Sequence, residues 1–272
     1  MTRDTTREPE HTGAAVPRIS STIRRWFLWY ARRYVRKHFH AVRLSRVTPV
    51  PALDDDTPAI VYSNHPSWWD PMIGAVLVAE HLRHRNHYAP MDEAALVKYR
   101  FFSKLGFFGV QPDSRRGAVQ LLKVGARVLG QPRATLWLTP QGRFVDVRRR
   151  PVELRPGLGH LVRRVARVTV VPLALEYTFW NEPAPEAFCR FGRPIDVDGD
   201  DGRSPADWTT IFEEHLRAVQ DELSCDVMAR RGEAFSTLVG GAHGIGGFYD
   251  LWRRIKAWLH GRRFNPEHDG EP

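Results

Sequence analysis

The sequence predicts an α/β fold, a central mixed sheet covered by helices with an amphipathic helix at each end, and three observations carry that prediction. Strand-like apolar runs alternate with helical windows through most of the chain, the pattern of a sheet with helices on its faces. At 272 residues, 42% of them hydrophobic, the chain can bury one substantial core and sits near the upper size of a single α/β domain. Both ends mix aromatic residues with arginines at helical spacing.

Taken in order, residues 1–21 are polar, lack the apolar stretch of a secretory signal and read as a disordered tail. Residues 22–46 read as one amphipathic helix, with Trp26, Phe27, Leu28, Trp29, Tyr30, Tyr34, Val35 and Phe39 interleaved among eight Arg/Lys residues. That mixture suits a segment lying at a membrane interface, rings at the headgroup level and cations toward anionic lipid; a helix simply packed on the domain is the plain alternative. Residues 47–240 form the main domain. Its strands are expected at 59–64, 87–90, 107–111, 135–139, 168–177 and 188–195, and its helices at 71–83, 92–105, 116–130, 157–166 and 206–223. Asp70-Pro71 and Ser204-Pro205 are helix-start signals. Residues 196–205, DVDGDDGRSP, read as a surface loop, and they lack the later glutamate of a calcium loop. Residues 241–272 carry a second amphipathic helix and a tail, with Phe248, Leu251, Trp252, Ile255, Trp258 and Leu259 at helical spacing.

Charge narrows the partners. The formal net charge of +9 comes almost wholly from arginine, whose planar fork suits phosphate and carboxylate groups; an arginine-biased composition gives the same number without any partner. No nucleic-acid motif is present, since there is neither zinc-finger spacing nor an RNP-like block, and the basic segments carry Trp and Leu in membrane-like mixtures. Cys189 and Cys225 show no ligand or disulfide spacing, so no metal is expected. The longest aliphatic run, Met72 to Ala79, is well short of the roughly 18 residues a spanning helix needs. No transmembrane helix is predicted.

The stretch Ser63-Asn64-His65-Pro66-Ser67-Trp68-Trp69-Asp70 concentrates chemistry between a strand and a helix, where α/β folds collect reactive groups. A histidine there can take a proton from a hydroxyl, and a carboxylate on its other nitrogen would fix the tautomer. Asp70 has an equally plain role open to it as the helix N-cap before Pro71. Trp68 and Trp69 read first as core residues.

Asn64-His65-Pro66-Ser67-Trp68-Trp69-Asp70 resembles, residue by residue, the N-H-x-S-x-x-D block of the glycerolipid acyltransferase superfamily, whose members acylate glycerol 3-phosphate or 1-acylglycerol 3-phosphate. Later segments resemble the family's other blocks in order. Gly106 to Gly117 supplies Arg115 and Arg116 as phosphate-holding arginines, and Leu138 to Phe144 supplies Pro140, Gln141, Gly142 and Arg143. Val168 to Leu173 matches a hydrophobic strand with its proline. The similarity covers about residues 59 to 177, and it makes 47–240 an acyltransferase domain.

What the resemblance implies is direct acyl transfer, with His65 as general base, Asp70 orienting it, and Asn64, Ser67, Arg115, Arg116, Pro140, Gln141, Gly142 and Arg143 binding substrate. No cofactor or metal is implied, only acyl-CoA or acyl carrier protein as co-substrate. The expected partners are a lipid acceptor, an acyl thioester donor and an anionic membrane surface, at the cytoplasmic side of a membrane and peripheral to it. One departure matters: Gln141 stands where the family has glutamate, so the basic stretch around Arg143 loses an anion. A 1-acylglycerol 3-phosphate acceptor remains the leading expectation, with a non-phosphate acceptor such as a glycosylated lipid behind it. A non-catalytic basic membrane-binding protein and a lipid ester hydrolase are the remaining readings; the latter lacks a G-x-S-x-G elbow.

Overall fold

The computed structural model describes residues 15–241. The strands are β1 (Ala41–Ser45), β2 (Ala59–Ser63), β3 (Asn86–Asp92), β4 (Phe107–Val110), β5 (Ala134–Leu138), β6 (Arg167–Thr178), β7 (Glu186–Phe191), β8 (Ile195–Asp198) and β9 (Phe235–Gly240). The helices are α1 (Ser21–His38), α2 (Asp70–His81), α3 (Glu93–Lys98), α4 (Arg115–Leu129), α5 (Gly157–Val162) and α6 (Pro205–Met228), with a 3₁₀ segment at Arg100–Leu105. Among the described residues the strands form one mixed sheet ordered β4-β3-β5-β2-β6-β7-β1-β9, and β8 pairs with β6.

The half that carries the site is parallel: β4, β3, β5, β2 and β6 run in one direction, and the antiparallel pairings begin at β6–β7. All five residues of β2 are buried, as a central parallel strand with helices on both faces requires. Its side chains alternate between two cores. Ile60 and Tyr62 join the apolar layer under α4, α5 and α6, while Val61 joins the layer under α1 and α2. Pairing Tyr62 with Leu138 brings the carboxyl ends of β2 and β5 level, while β6, paired through Pro172, runs on past them to Thr178. The site is built there.

Three expectations are corrected. The segment 22–46 is not one helix: α1 stops at His38, Phe39 turns extended, and 41–45 becomes β1 between β7 and β9. Its Val42 and Leu44 are buried by strands distant in sequence, a partner that local periodicity does not display. The tail expected over 1–21 is ordered at its end, because Val16 and Ile19 pack against the core and Ser20 caps α1. The run 188–195 is two strands: the chain breaks at Gly192, whose backbone N–H donates to the Pro172 carbonyl at 2.8 Å, before β8 takes up residues assigned to a loop. A Cβ at Gly192 would come within 2.4 Å of Val219, so the close approach needs glycine. The C-terminal amphipathic helix expected over 241–272 lies outside the described residues except for Gly241.

Candidate active site

The loop after β2 is fixed before any chemistry is considered. Asn64 is 1% exposed, and its side-chain amide pairs with the main chain of Leu175 in both directions, each bond 2.8 Å. Expected among the substrate-binding residues, Asn64 has both ends of its amide engaged in tying the loop to β6. The next residue is held from the other side. The Gln141 side-chain oxygen accepts from the His65 backbone N–H at 2.8 Å, and the His65 carbonyl accepts from Val145 N–H at 2.9 Å.

His65 and Asp70 meet directly, with Nδ1 2.6 Å from Oδ2. A carboxylate offers only lone pairs, so the proton of a neutral imidazole sits on Nδ1 and Nε2 keeps its lone pair, able to accept a proton. Asp70 is buried and makes two further bonds: Oδ2 accepts from Ser67 N–H at 3.3 Å and Oδ1 accepts from the Tyr177 hydroxyl at 2.7 Å. Burial, and then the neighbouring Asp70 charge, hold the Tyr177 phenol well above its ordinary range, so it remains a donor. Asp70 therefore does not act as the helix cap. The cap residue is Trp69, with no side-chain cap bond, while the carboxylate faces His65, Ser67 and Tyr177. Ser67 acts through its backbone, and its Oγ accepts from Trp69 N–H at 3.2 Å.

The tryptophans divide. Trp69 packs edge-on to Phe39 at 4.9 Å and beside Tyr34 at 5.5 Å, joining the loop to α1 and its following residue. Trp68, expected in the core, is exposed, as is Phe144, whose ring lies 4.4 Å from the His65 ring.

His65 and Asp70 open into a cavity of about 230 Å³ with mostly apolar walls: Phe27 and Leu28 of α1, Val78 of α2, Leu105, Phe107 and Trp137. A second histidine, His87, also lines it. Its Nε2–H donates to the Leu82 carbonyl at 2.7 Å and its Nδ1 accepts from the Trp137 indole at 3.0 Å. Burial presses its pKa down to about 4, so it is a neutral wall group with both nitrogens engaged.

The expected phosphate residues lie elsewhere. Arg115, Arg116, Gly142 and Arg143 do not line the cavity that holds His65. Gln141 and Arg143 border a neighbouring cleft of about 280 Å³ with Arg149, Glu153 and Arg155. Arg115 and Arg116 are exposed at the first turn of α4, where a helix N-terminus without acidic residues favours an anion. Arg155 links these regions: its backbone N–H donates to the Pro140 carbonyl at 2.8 Å, and its guanidinium pairs with Asp113, just before α4, at 2.6 Å. Gly142 has φ +65° beneath that side chain. Neither Tyr177 nor Arg155 was among the residues singled out by motif. Tyr177 closes the strand predicted over 168–177, but only the fold brings that strand end to Asp70.

A strand-to-helix loop that sets a histidine against a buried carboxylate, at the carboxyl end of a parallel strand, makes this an α/β protein with an imidazole able to take up a proton. The chain belongs to the Acyltransferase family, whose model matches residues 40–176. The crystal structure of the 1-acyl-sn-glycerophosphate (LPA) acyltransferase PlsC from Thermotoga maritima is similar, with a TM-score of 0.49 and 16% identity over 74% of this chain and 81% of that one. No curated protein matches.

Proposed function

We propose that this acyltransferase moves a fatty acyl group from acyl-CoA or acyl carrier protein to a hydroxyl of 1-acylglycerol 3-phosphate. The observation that carries the reading is the 2.6 Å His65–Asp70 contact in the lining of an apolar cavity. His65 Nε2 takes the acceptor's hydroxyl proton as the oxygen attacks the thioester carbonyl. The tetrahedral intermediate then expels the thiolate, which recovers that proton from the imidazolium and leaves as thiol. Asp70 stabilises the imidazolium, and Tyr177 and Ser67 keep Asp70 in place. This route asks for no serine or cysteine nucleophile, metal or cofactor. The cavity's apolar walls suit an acyl chain.

The acceptor's phosphate is assigned to the basic cleft of Arg143, Arg149 and Arg155 with the α4 N-terminus beside it, tied together by Arg155. A glycosylated lipid is the second acceptor, favoured by the absence of Arg115, Arg116 and Arg143 from the His65 cavity. We place the enzyme peripherally at the cytoplasmic side of an anionic membrane. Among the described residues no helix is long and apolar enough to cross one, and α1 exposes Trp26, Trp29 and Tyr30 among arginines.

The test is purified protein with labelled acyl-CoA or acyl carrier protein and a panel of lysolipid and glycolipid acceptors. Acylation of 1-acylglycerol 3-phosphate, lost by a factor of about 10² or more in His65→Ala as expected for a missing general base, supports the reading. Product from a glycolipid alone moves it to the second acceptor, and activity untouched by His65→Ala overturns the mechanism.

A further inference from the structure

We propose that the segment 97–104, the end of α3 and the 3₁₀ turn, is a second lipid-contacting element that faces an anionic bilayer together with α1. The proposal rests on the membrane reading above and extends it to a part of the chain in which no motif was read.

Four observations carry it. Val97, Tyr99 and Phe101 are 70%, 46% and 43% exposed, three large apolar residues within five positions. Singly such exposure is ordinary, but a cluster rimmed by charge marks an interaction surface. The rim is cationic: Lys98, Arg100 and Lys104 are all exposed, Glu93 is the one acid between residues 93 and 105, and α1 carries no acid at all. This complements anionic headgroups.

The segment is also continuous with α1. Ser20 N–H, at the start of α1, donates to the Lys104 carbonyl at 2.8 Å, and Phe27 meets Phe102 edge-on at 6.2 Å. Phe102 in turn stacks on the exposed Phe101 at 4.2 Å. Finally, this contact stands behind a cavity wall. Phe102 lies between Phe27 and Phe107, at 5.3 Å from the latter, and both of those rings line the cavity that His65 also lines. The exposed rings thus stand one ring away from the space assigned to the acyl chain. A bilayer resting on α1 and this turn would meet the cavity wall at its edge, so a lipid chain need not cross water to enter.

The experiment uses the full chain and vesicles of phosphatidylcholine with or without phosphatidylglycerol. Val97→Ser/Tyr99→Ser/Phe101→Ser is compared with Trp26→Ser/Trp29→Ser/Tyr30→Ser, with circular dichroism and thermal melting as folding controls. The first triple change should lower partition into phosphatidylglycerol vesicles by about tenfold or more, because exposed rings lose their transfer into lipid. Unchanged partition beside release by the α1 change overturns this inference and leaves the α1 reading standing. No binding by the unaltered protein sinks both. If the triple variant fails to fold, Val97→Cys in a Cys225→Ser background, labelled with an environment-sensitive fluorophore, decides: a blue shift on adding vesicles supports the proposal, and none overturns it. Self-association abolished by the triple change, without any vesicle response, assigns the face to a second copy of the chain and also overturns it.

Discussion

Tyr177 donates its hydroxyl hydrogen to Asp70 Oδ1 at 2.7 Å from the far end of β6, and a phenol held protonated by burial is a steady donor. Hydrogen bonds to charged groups contribute about 1.5–3 kcal/mol, so Tyr177→Phe should lower kcat by roughly ten- to a hundred-fold if the loss reaches the transition state whole. KM should change little, since the hydroxyl touches Asp70 and not a substrate. A fall in kcat without a KM change, together with a shifted pH–rate profile, checks this; unchanged kcat would reduce Tyr177 to packing. The His65–Asp70 contact was legible in the sequence through the block that Asn64 to Asp70 resembles, since spacing alone left Asp70 equally open to a cap role. Tyr177 was not, because it lies 107 residues from Asp70 and is delivered by strand register.

The Thr139–Gly142 turn after β5 shows how an element sets the site without touching the chemistry. Gly142 N–H donates to the Thr139 carbonyl at 2.9 Å, and the turn places Gln141 against the His65 backbone. Gly142→Ala would put a Cβ at positive φ and 2.4 Å from Arg155 Nε. The backbone part should cost about 1–2 kcal/mol. The steric part is relieved when Arg155 swings away and releases Asp113. We expect Gly142→Ala to lose about 1–2 kcal/mol of stability in denaturant titration, and Gly142→Ala/Arg155→Ala to lose less than the sum of the single changes, because the clash disappears with the guanidinium. Strict additivity would show that Arg155 does not pack on the turn. Gln141 also answers the question posed by its departure from glutamate. A neutral amide oxygen suffices to accept the His65 N–H.

At the scale of the whole molecule, one buried group predicts how the fold responds to acid. His87 titrates near 6.5 in an unfolded chain, whereas burial holds it to about 4 in the folded one. Between those values the unfolded state binds the extra proton, so stability rises with pH across this window and falls as pH drops from 6.5 toward 4. By pH 4.5 the loss from this residue should reach about 2–3 kcal/mol. Denaturant unfolding at pH 7 and 4.5 should show it, and His87→Gln should flatten that part of the difference; an equal slope in the variant would show that His87 is not the group responsible.

By itself the sequence determined what depends on near neighbours and on composition: the alternation of strand and helix, the position of β2 and α2, the His65–Asp70 loop, the cationic aromatic α1. These follow from apolar periodicity and from residues a few positions apart, which are encoded in order along the chain. Only the tertiary structure decided that 41–45 is a strand, that Asn64 anchors the loop to Leu175, that Tyr177 completes the dyad, and that the arginines of 115–116 and 143 stand outside the His65 cavity. Each of these depends on which strand lies beside which and in what register. Pairing between segments over a hundred residues apart leaves no periodic trace in either one, because it is set by how all the apolar faces are buried together.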